Sequence, residues 1–455
     1  MRGRIKSKTI LAVFLTGLFT FVQLMFGFTG IAAAAAPTIV ITSPTASANL
    51  GTSFAVNGTA TANTAISVQI NGTTVGNTTA DGSGNWSVNV TGQTAGAKTI
   101  TATASGDLMA YLSDLGNTNL GIVNITQGSF SLIAGSTGSG SQDAVPHSNG
   151  KVYTLNSQLF GTNNKVSMFN GDPLAFNSDI PLNDPLSSVL LESINKLYVT
   201  DANDNNVQVI DTTTDTVVTT IPVGSAPQGI AKSPDGSKVY VANGSGSSVS
   251  VIDTSTDTVI QTPSTCAGGF NLTISPDGTM LYVLCQGTGI QKFDTATFTL
   301  QGTAAFTDNL LIMAINSSGS KLYVSDSQVG GLAIIDTAAM TVTTGYGSAF
   351  ISAMKVIGNN LYLVDLGNLV FQVYDTTTDV QVGSNISLAG MTQPFVFTDN
   401  FMIQPSTSAS VAVTVASATS PSLAATGQNN SLYTLIATMA IGAGLTLLYR
   451  HKQRI

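Results

Sequence analysis

The sequence predicts an all-β protein in which a small β-sandwich is followed by a seven-bladed β-propeller. Short runs rich in β-branched residues are separated by Gly, Asn, Asp and Pro along most of the chain. Through the centre of the sequence these runs recur with a period of about 40 residues. The segment from 37 to 105 alternates without that period. We also expect a signal helix at the N-terminus and a transmembrane helix at the C-terminus.

Two neighbouring repeats, at 196–236 and 238–278, define the repeating unit. Each contains four short β-branched runs, and each closes on Pro-Asp-Gly. Four such runs joined by turn residues are typical of four antiparallel strands. Four strands in a repeat of this length predict one blade of a β-propeller.

A tyrosine marks the same place in each repeat, and seven markers predict seven blades over residues 107–400. The first marker lies on the second strand of its blade, so we expect residues 394–398 to pair there and close the ring. Residues 401–404 and 411–415 also resemble strands, which leaves eight blades as the alternative. The markers, with spacings of 42, 45, 42, 42, 41 and 39, are Tyr111, Tyr153, Tyr198, Tyr240, Tyr282, Tyr323 and Tyr362.

The repeats resemble a known family. Residues 238–243 (KVYVAN), 251–253 (VID) and 233–236 (SPDG) are similar to the YVTN-type β-propeller repeat of bacterial and archaeal surface proteins. The similarity is close over 196–278, fair over 280–400 and loose over 109–195. It implies the fold and leaves the function open, because propellers carry many unrelated activities.

The composition limits the classes of function. Only 9% of the residues are charged, which is unusual for a cytoplasmic enzyme or a disordered tail. All 24 acidic residues but only nine of the 16 basic ones lie between the apolar ends, so this part carries a net charge of about −15. Nucleic-acid binding needs clustered Lys and Arg. We therefore expect no nucleic-acid partner.

Residues 1–36 have the order of an export signal. Four basic residues precede an apolar run over 10–31, and Ala32–Ala36 follow as a cleavage region. We expect cleavage after Ala34 or Ala35, because a proline directly after the scissile bond, as at Pro37, is unfavourable. The apolar run is long, and an uncleaved anchor is the alternative.

Residues 37–105 contain about seven short alternating runs, which predict a small β-sandwich. We expect Trp86, the only tryptophan, to fill its core, with carbohydrate stacking as the alternative. The run Asp81–Val88 followed by Gly96–Ala102 resembles the bacterial immunoglobulin-like repeat of adhesins and wall enzymes.

The C-terminal part of the chain has three segments. A stretch rich in Ser, Thr and Ala, 401–422, is predicted to be a polar stalk. An apolar run over 432–449 follows, long enough for a helix of roughly 27 Å, and then a basic tail. Between the stalk and this run stand Leu423, Ala424, Ala425, Thr426 and Gly427.

Residues 423–455 resemble a sortase sorting signal of the Leu-Ala-x-Thr-Gly type. The resemblance implies that a sortase cysteine attacks the carbonyl of Thr426 and passes the chain to a peptidoglycan amine. Ala424 replaces the commoner proline, which leaves the class of sortase open. In the sortase interpretation, the C-terminal helix is the only part that contacts the membrane, and only until the sortase cleaves the chain. The alternative is a simple C-terminal membrane anchor.

Groups for catalysis are scarce. Outside the signal and the tail the chain has one histidine, His147, and one glutamate, Glu192. Little is therefore available for a catalytic triad or a multi-histidine metal site. Both residues fall near predicted turns, and we expect structural roles for them.

A ring of polar residues is the remaining candidate site. Each lies three residues after a marker tyrosine, where the second strand enters a loop, and Asp204 adds a carboxylate to the richest of these loops. Such oxygen ligands can hold Ca²⁺, but Asp and Asn at strand ends also cap their own turns. We favour capping and assign no metal site or cofactor. The ring consists of Asp114, Asn156, Asp201, Asn243, Cys285, Asp326 and Asp365.

Cys266 and Cys285 are the only cysteines. Export would place them in an oxidising compartment. The predicted hairpin brings Cys285 opposite residue 270, close enough for Cys266 to reach it. A disulfide and two free buried thiols are both compatible with the sequence.

The function expected from these features is that of an extracellular protein anchored to the cell wall of a Gram-positive-type bacterium. Its propeller would be a binding or display platform for adhesion, with an extracellular protein or glycan as ligand, and not an enzyme. One alternative is a propeller enzyme of the lactonase or lyase kind, which needs ionisable groups converging on the channel. The other is a structural component of a surface coat.

Overall fold

The computed structural model describes residues 37–415 with eleven short gaps. The predicted signal peptide, sorting motif and C-terminal apolar helix lie outside the described residues. Within the described part of the chain, no helix is both long and apolar enough to cross a membrane. The gaps are residue 63 and residues 116–118, 134–140, 158–163, 171–173, 306–309, 327–330, 344–350, 393, 397–401 and 404–405.

The first seven strands build two sheets with one apolar core between them. One sheet has the order β1-β3-β6, and the other contains β7, β4 and β5. Val56, Val68 and Trp86 are buried in the shared core. A Cβ at Gly58 would lie 2.3 Å from the Trp86 ring, so only glycine lets the indole lie against that strand. The strands are β1 (Ile39–Ser43), β2 (Asn49–Leu50), β3 (Phe54–Ala60), β4 (Ala65–Ile70), β5 (Thr73–Thr79), β6 (Asn85–Val90) and β7 (Gly96–Ser105).

The following strands recur in groups of four, as the repeats predict. Alternating Val, Ile and Tyr side chains bury both faces of the central strands, because each small sheet packs between two others. The strands are β8 (Met109–Asp114), β9 (Leu120–Asn124), β10 (Ser129–Ile133), β11 (Ser141–Pro146), β12 (Val152–Asn156), β13 (Lys165–Asn170), β14 (Ala175–Pro181), β15 (Pro185–Leu191), β16 (Lys196–Asp201), β17 (Asn206–Asp211), β18 (Thr216–Pro222), β19 (Pro227–Lys232), β20 (Lys238–Asn243), β21 (Ser248–Asp253) and β22 (Thr258–Gln261).

The second half of the repeat region continues this pattern. A short 3-10 turn, Glu192–Ile194, stands between β15 and β16. The remaining strands are β23 (Gly269–Ile274), β24 (Met280–Cys285), β25 (Gly289–Asp294), β26 (Leu300–Ala304), β27 (Leu310–Ile315), β28 (Lys321–Asp326), β29 (Gly331–Asp336), β30 (Thr341–Thr343), β31 (Ile351–Ile357), β32 (Asn360–Asp365), β33 (Val370–Asp375), β34 (Val380–Gln381), β35 (Ile386–Ser387), β36 (Pro394–Phe395), β37 (Met402–Ile403) and β38 (Ser406–Val415).

The described strands from β8 to β37 form seven antiparallel sheets, which we number by chain order. Sheet 1 has the order β10-β9-β8-β36, with β37 also paired to β8. Sheets 2 to 6 are the consecutive groups of four from β11 to β30, and sheet 7 is β31-β32-β33-β34 with β35. The all-β prediction is confirmed, and four-stranded sheets are the repeating unit.

The first strands of these sheets lie side by side in a closed circle. Successive strands from β11 through β15, β19, β23 and β27 to β31 contact one another, β31 contacts β36, and β37 contacts β11. Pro394 pairs with Asp114, so the late strand joins the sheet of the first tyrosine, as expected. Apolar clusters fill the space between neighbouring sheets, as Tyr153 and Leu197 illustrate for sheets 2 and 3.

The structure corrects the predicted stalk. Residues 406–415 form the ten-residue strand β38, which pairs antiparallel with β7 from Ser105–Ser406 to Gly96–Val415. The sheet order is β2-β38-β7-β4-β5. Val411 and Val413 alternate into the N-terminal core, and burial of that apolar face explains why this polar stretch is ordered. Residues 402–403 belong to sheet 1, so the proposed eighth pair of strands does not form.

Candidate functional site

The circle of first strands encloses the candidate site. Each first strand from sheet 2 to sheet 7 carries a register shift near its start. A β-bulge re-aims the side chains beside it. In sheet 5 the shift lies between Gly269 and Asn271, and Asn271 lines the cavity inside the circle.

This central cavity has a volume of about 320 Å³ and is bordered by sheets 3 to 7 and Val396. Ser187 and Asn271 contribute polar groups, and Ile312 and Met354 contribute apolar ones. The turns that follow the first strands also border the cavity, including Ser233. It therefore combines apolar walls with hydroxyl and amide groups.

Lys232 and Lys355 are the only charged residues among the described residues that line this cavity. Lys232 is exposed, and its Nζ donates a 2.7 Å hydrogen bond to the Leu190 carbonyl. Lys355 is half-buried. The described lining holds no carboxylate or histidine, but two of its serines, Ser233 and Ser275, donate hydrogen bonds to the carboxylates of Asp235 and Asp277 beside the cavity.

Gly229 allows two of the cavity walls to approach closely. A Cβ at this position would lie 2.6 Å from the Phe270 carbonyl oxygen of the neighbouring first strand. Any larger residue would push sheets 4 and 5 apart. Gly229, the glycine of the Gly-Ile-Ala run, thus has a packing reason.

The predicted polar ring is dispersed over the seven sheets. The ring's Asp and Asn side chains that the structure describes hydrogen-bond within their own sheet or the strand beside it. Asp114, for example, accepts hydrogen bonds from the backbone N–H and hydroxyl of Thr392, each 2.9 Å. Among the described residues no group of three or more His, Cys, Asp or Glu could hold a metal ion.

Asp201 shows how a ring residue is used. The fully buried carboxylate accepts hydrogen bonds from the N–H groups of Asn183 and Asp184, at 2.9 and 3.0 Å. Burial raises the pKa of the Asp201 carboxyl, and the negative charge of Asp204 adds to the rise. The Oδ1 of Asp204 in turn accepts from the Asn183 amide at 2.7 Å. These contacts hold the loop that enters β15.

Three other ring residues also make local hydrogen bonds. The Asn243 amide donates to Ser248 and Ser250, both at 3.0 Å, and Asp365 accepts from the Asn368 backbone at 3.0 Å. The Asn156 amide donates to Ser167 at 3.1 Å. Asp326 ends β28 opposite Leu310.

Cys285 takes the same position in sheet 5, where the structure joins it to Cys266 in a disulfide with the Cα atoms 5.9 Å apart. The bond ties the loop before β23 to the end of β24. No cysteine in the described chain is free.

His147 and Glu192 lie at turns of sheets 2 and 3. The His147 Nδ1 accepts from the Asn149 N–H at 3.1 Å, and its Nε2 lies 3.2 Å from the Thr212 hydroxyl. Burial lowers the pKa of His147, although the charge of Glu192 opposes this. Glu192 accepts from the Ser148 N–H at 2.8 Å. Both side chains connect turns and lie outside the described cavity lining.

Sequence reasoning missed three contacts between sheets that use the marker tyrosines. The Tyr198 hydroxyl donates to Asp257 at 2.6 Å, and Lys196 forms an ion pair with the same carboxylate at 2.5 Å. Tyr153 and Lys151 bind Asp215, and Tyr323 and Lys321 bind Asp379, in the same way. The signal was present, since each Lys-x-Tyr is followed by an Asp-x-x-x-Asp turn in the next repeat.

Asp143 also links two sheets, and the sequence analysis did not single it out. It lies on the first strand of sheet 2, fully buried, and its Oδ2 accepts a 2.9 Å hydrogen bond from Ser188 of sheet 3. It links two first strands.

Comparison with solved structures gives the fold. The chain is similar to a candidate 6-phosphogluconolactonase from Bacteroides uniformis, with 16% identity over 66% of this chain and 99% of that one and a TM-score of 0.51. A candidate 6-phosphogluconolactonase from Bacteroides fragilis gives 14% identity, coverage of 65% and 98%, and a TM-score of 0.51. No protein-family model matches, and no curated protein matches significantly. With its circle of small sheets, the chain has a fold of the β-propeller type.

Proposed function

We propose that this chain is an exported surface protein whose propeller binds a ligand and does not turn it over. The chemistry of the central cavity carries this proposal. Its described lining offers ammonium, hydroxyl, amide and apolar groups, which suit recognition. Hydrolysis of a lactone would need a positioned general base, and the described carboxylates are used in turns and between sheets.

The proposed architecture is a seven-bladed propeller with an immunoglobulin-like module beside it. The seven described sheets and the closed circle of their first strands support the blade count. Two facing sheets around Trp86 support the module, to which β38 adds a strand from beyond the propeller. YVTN-type repeats are compatible with this arrangement.

We further propose that Leu423–Gly427 is a sorting signal and that the wall is the site of attachment. The order of motif, apolar run and basic tail supports it. Ten residues, 416–425, stand in the sequence between the end of strand β38 at Val415 and Thr426. In this proposal that spacing gives a sortase room to reach the motif.

Replacement of Thr426 tests the attachment. In Thr426→Ala, we expect loss of most protein that remains linked to purified walls after boiling in detergent, because the scissile carbonyl then belongs to the wrong residue. Ala425→Ser changes the variable position of the motif and should leave wall linkage unchanged. Equal wall linkage in the parent and in Thr426→Ala would favour the simple membrane anchor.

Display on cells tests binding. Cells that carry the full chain and matched cells that lack it are offered polysaccharides, matrix proteins and other cells, while hydrolysis of sugar lactones is assayed on the same samples. We expect saturable binding without turnover. Turnover that depends on the chain would support a lactonase-like activity, and self-association without other ligands would support a surface coat.

A further inference from the structure

The chain enters and leaves the propeller at one end of sheet 1. Strand β7 ends at Ser105, and β8 begins at Met109. The strands that return from the propeller run beside them, since Ile403 of β37 pairs with Met109. Ser406, the first residue of β38, pairs with Ser105. The N-terminal sandwich is therefore connected to the propeller at the end of sheet 1 where β8 begins.

The two ends of the sheets differ. In each sheet the second strand ends at a residue of the polar ring, as β20 runs from Lys238 to Asn243. The turns that precede the second strands lie side by side, because a Cβ at Gly278 would lie 3.4 Å from Pro234 in the turn of the preceding sheet. We call the end with these turns the turn face, and the end with the loops after the ring residues the ring face. Strand β8 ends at the ring residue Asp114, so its first residue, and the sandwich joined to it, lie at the turn face.

The C-terminal part of the chain leaves from the far end of the sandwich. Strand β38 pairs with β7 from Ser105–Ser406, beside the propeller, to Gly96–Val415. A strand of ten residues is about 33 Å long. An attachment point beyond Val415 is therefore separated from the propeller by the length of the sandwich. Although the sandwich comes first in the sequence, it lies between the propeller and the attached end.

The two faces also differ in charge. The described loops that join second to third strands at the ring face, 202–205, 244–247, 286–288 and 366–369, contain Asp204 as their only charged residue. At the turn face, third strands end in carboxylates, and hydrogen bonds from Ser255 lower the pKa of one of them, Asp253. The hydroxyl and amide groups of the ring-face loops suit an uncharged ligand with hydrogen-bonding groups. The turn-face carboxylates are Asp211, Asp253, Asp294, Asp336 and Asp375.

We propose that the ring face is directed away from the attachment point and meets a large uncharged ligand, a neutral polysaccharide. The N-terminal sandwich is then the spacer that holds the propeller off the surface, and the acidic turn face lies on the side of the anchor. This inference rests on the C-terminal attachment proposed above. It holds for a wall link and for a simple membrane anchor, because both begin beyond Val415.

Labelling of single thiols in the full chain on intact cells tests this orientation. The chain has two cysteines, which form the disulfide, so an added cysteine supplies a unique thiol. Ser245→Cys lies in an exposed loop of the ring face, and Ala95→Cys is exposed beside Gly96 at the far end of the sandwich. On intact cells we expect a maleimide carried on a large polymer to label Ser245→Cys several-fold more than Ala95→Cys. A small maleimide should label both variants, and the polymer should label both equally once the protein is released from the cells.

The order of labelling decides between two arrangements. Equal labelling of the two variants by the polymer on intact cells, or stronger labelling of Ala95→Cys, would overturn the proposed orientation. A chain found only in the medium would contradict the attachment, and this inference with it. A chain that is attached but labelled in the wrong order contradicts this inference alone.

The ligand is tested on the same cells with dextran, amylose and mannan as neutral polysaccharides and dextran sulfate as a charged counterpart. We expect saturable binding of at least one neutral polysaccharide, with little change on addition of salt, because no ion contact is involved. Polymer attached to Ser245→Cys should block this binding, and the small maleimide at Ala95→Cys should leave it unchanged. Binding of dextran sulfate alone, binding of no polysaccharide, or binding unchanged by the polymer would overturn the assignment of this ligand to the ring face.

Discussion

Two junctions between neighbouring sheets use the same backbone and different chemistry. Between sheets 3 and 4, Lys196 and Tyr198 bind the carboxylate of Asp257. Between sheets 4 and 5, Phe298 stands at the equivalent turn position and packs into the cluster that contains Tyr240. The first junction is an ion pair with a hydrogen bond, and the second is an apolar contact.

The backbone of the turn explains why both solutions are possible. The same residue of the turn adopts a left-handed conformation in five sheets, with φ between 52° and 56°, whatever its side chain. The turn geometry is thus set by the repeat, while the side chain that fills the junction can be charged or apolar. The five residues are Asp215, Asp257, Phe298, Met340 and Asp379.

The largest effect is expected from breaking the polar junction. Asp257→Ala leaves the Lys196 ammonium and the Tyr198 hydroxyl, both largely buried, without their acceptor. We expect the free energy of unfolding to fall by about 2–3 kcal/mol in urea titrations. Asp257→Asn keeps an acceptor and tolerates the positive φ, so its loss should be smaller. Equal losses in the two variants would mean that the contact is not what stabilises this junction.

An intermediate effect is expected from converting the apolar junction. Phe298→Asp places a carboxylate where Lys238 and Tyr240 stand in the positions of Lys196 and Tyr198. The lost apolar contact and the gained ion pair should nearly cancel, within about 1 kcal/mol. Phe298→Asn has nearly the same shape as Phe298→Asp without the negative charge, so the difference between the two variants measures the ion pair. We expect Phe298→Asn to be the less stable of the two at low salt. If Asn is the more stable of the two, the junctions are not interchangeable.

The smallest effect is expected at the junction of sheets 2 and 3, where His147 contacts Thr212. Burial lowers the pKa of His147 from its ordinary 6.5, so folding favours the neutral ring. The contribution of the neutral His147 ring to stability is therefore fully present above pH 6.5. It is lost as the pH falls from 6.5 toward the lower pKa of the folded state, because the unfolded chain then binds a proton that the folded one does not.

Urea titrations between about pH 5.5 and 7.5 measure this contribution. His147→Gln should flatten the pH dependence of stability, and His451→Gln, in the C-terminal tail, should leave it unchanged. A His147→Gln slope equal to that of the parent would show that another group titrates.

The buried tyrosines explain how much of the fold the sequence could predict. Tyr111, Tyr153 and Tyr198 are among the largest fully buried side chains. Because the same position is buried in each sheet, the tyrosine recurs there and the repeat can be recognised in the sequence. The pairing of β38 with β7 was missed, because it joins segments about 300 residues apart and its strand is rich in Ser, Thr and Ala.

The candidate site was harder to predict than the fold. Each ring residue ends the second strand of its sheet, where the sequence predicted the strand to enter a loop. The direction of a side chain there is decided by contacts such as those of Asp201 with the Asn183 and Asp184 N–H groups. Lys232 and Lys355 come from sheets 4 and 7 and line one cavity only because the first strands form a circle. No local pattern in the sequence marks such residues.

The pairing of β7 with β38 has a consequence for how the propeller stays closed. Ser105 and Ser406 are paired neighbours, and the sheets begin at Met109 and end at Ile403. The pairing of β7 with β38 therefore holds the two ends of the circular part together from outside it. If β36 and β37 separate from β8, they stay close to it, so their effective concentration at the edge of β8 remains high. The chain then gains little entropy from this opening, and the pairing with β8 re-forms within the same molecule.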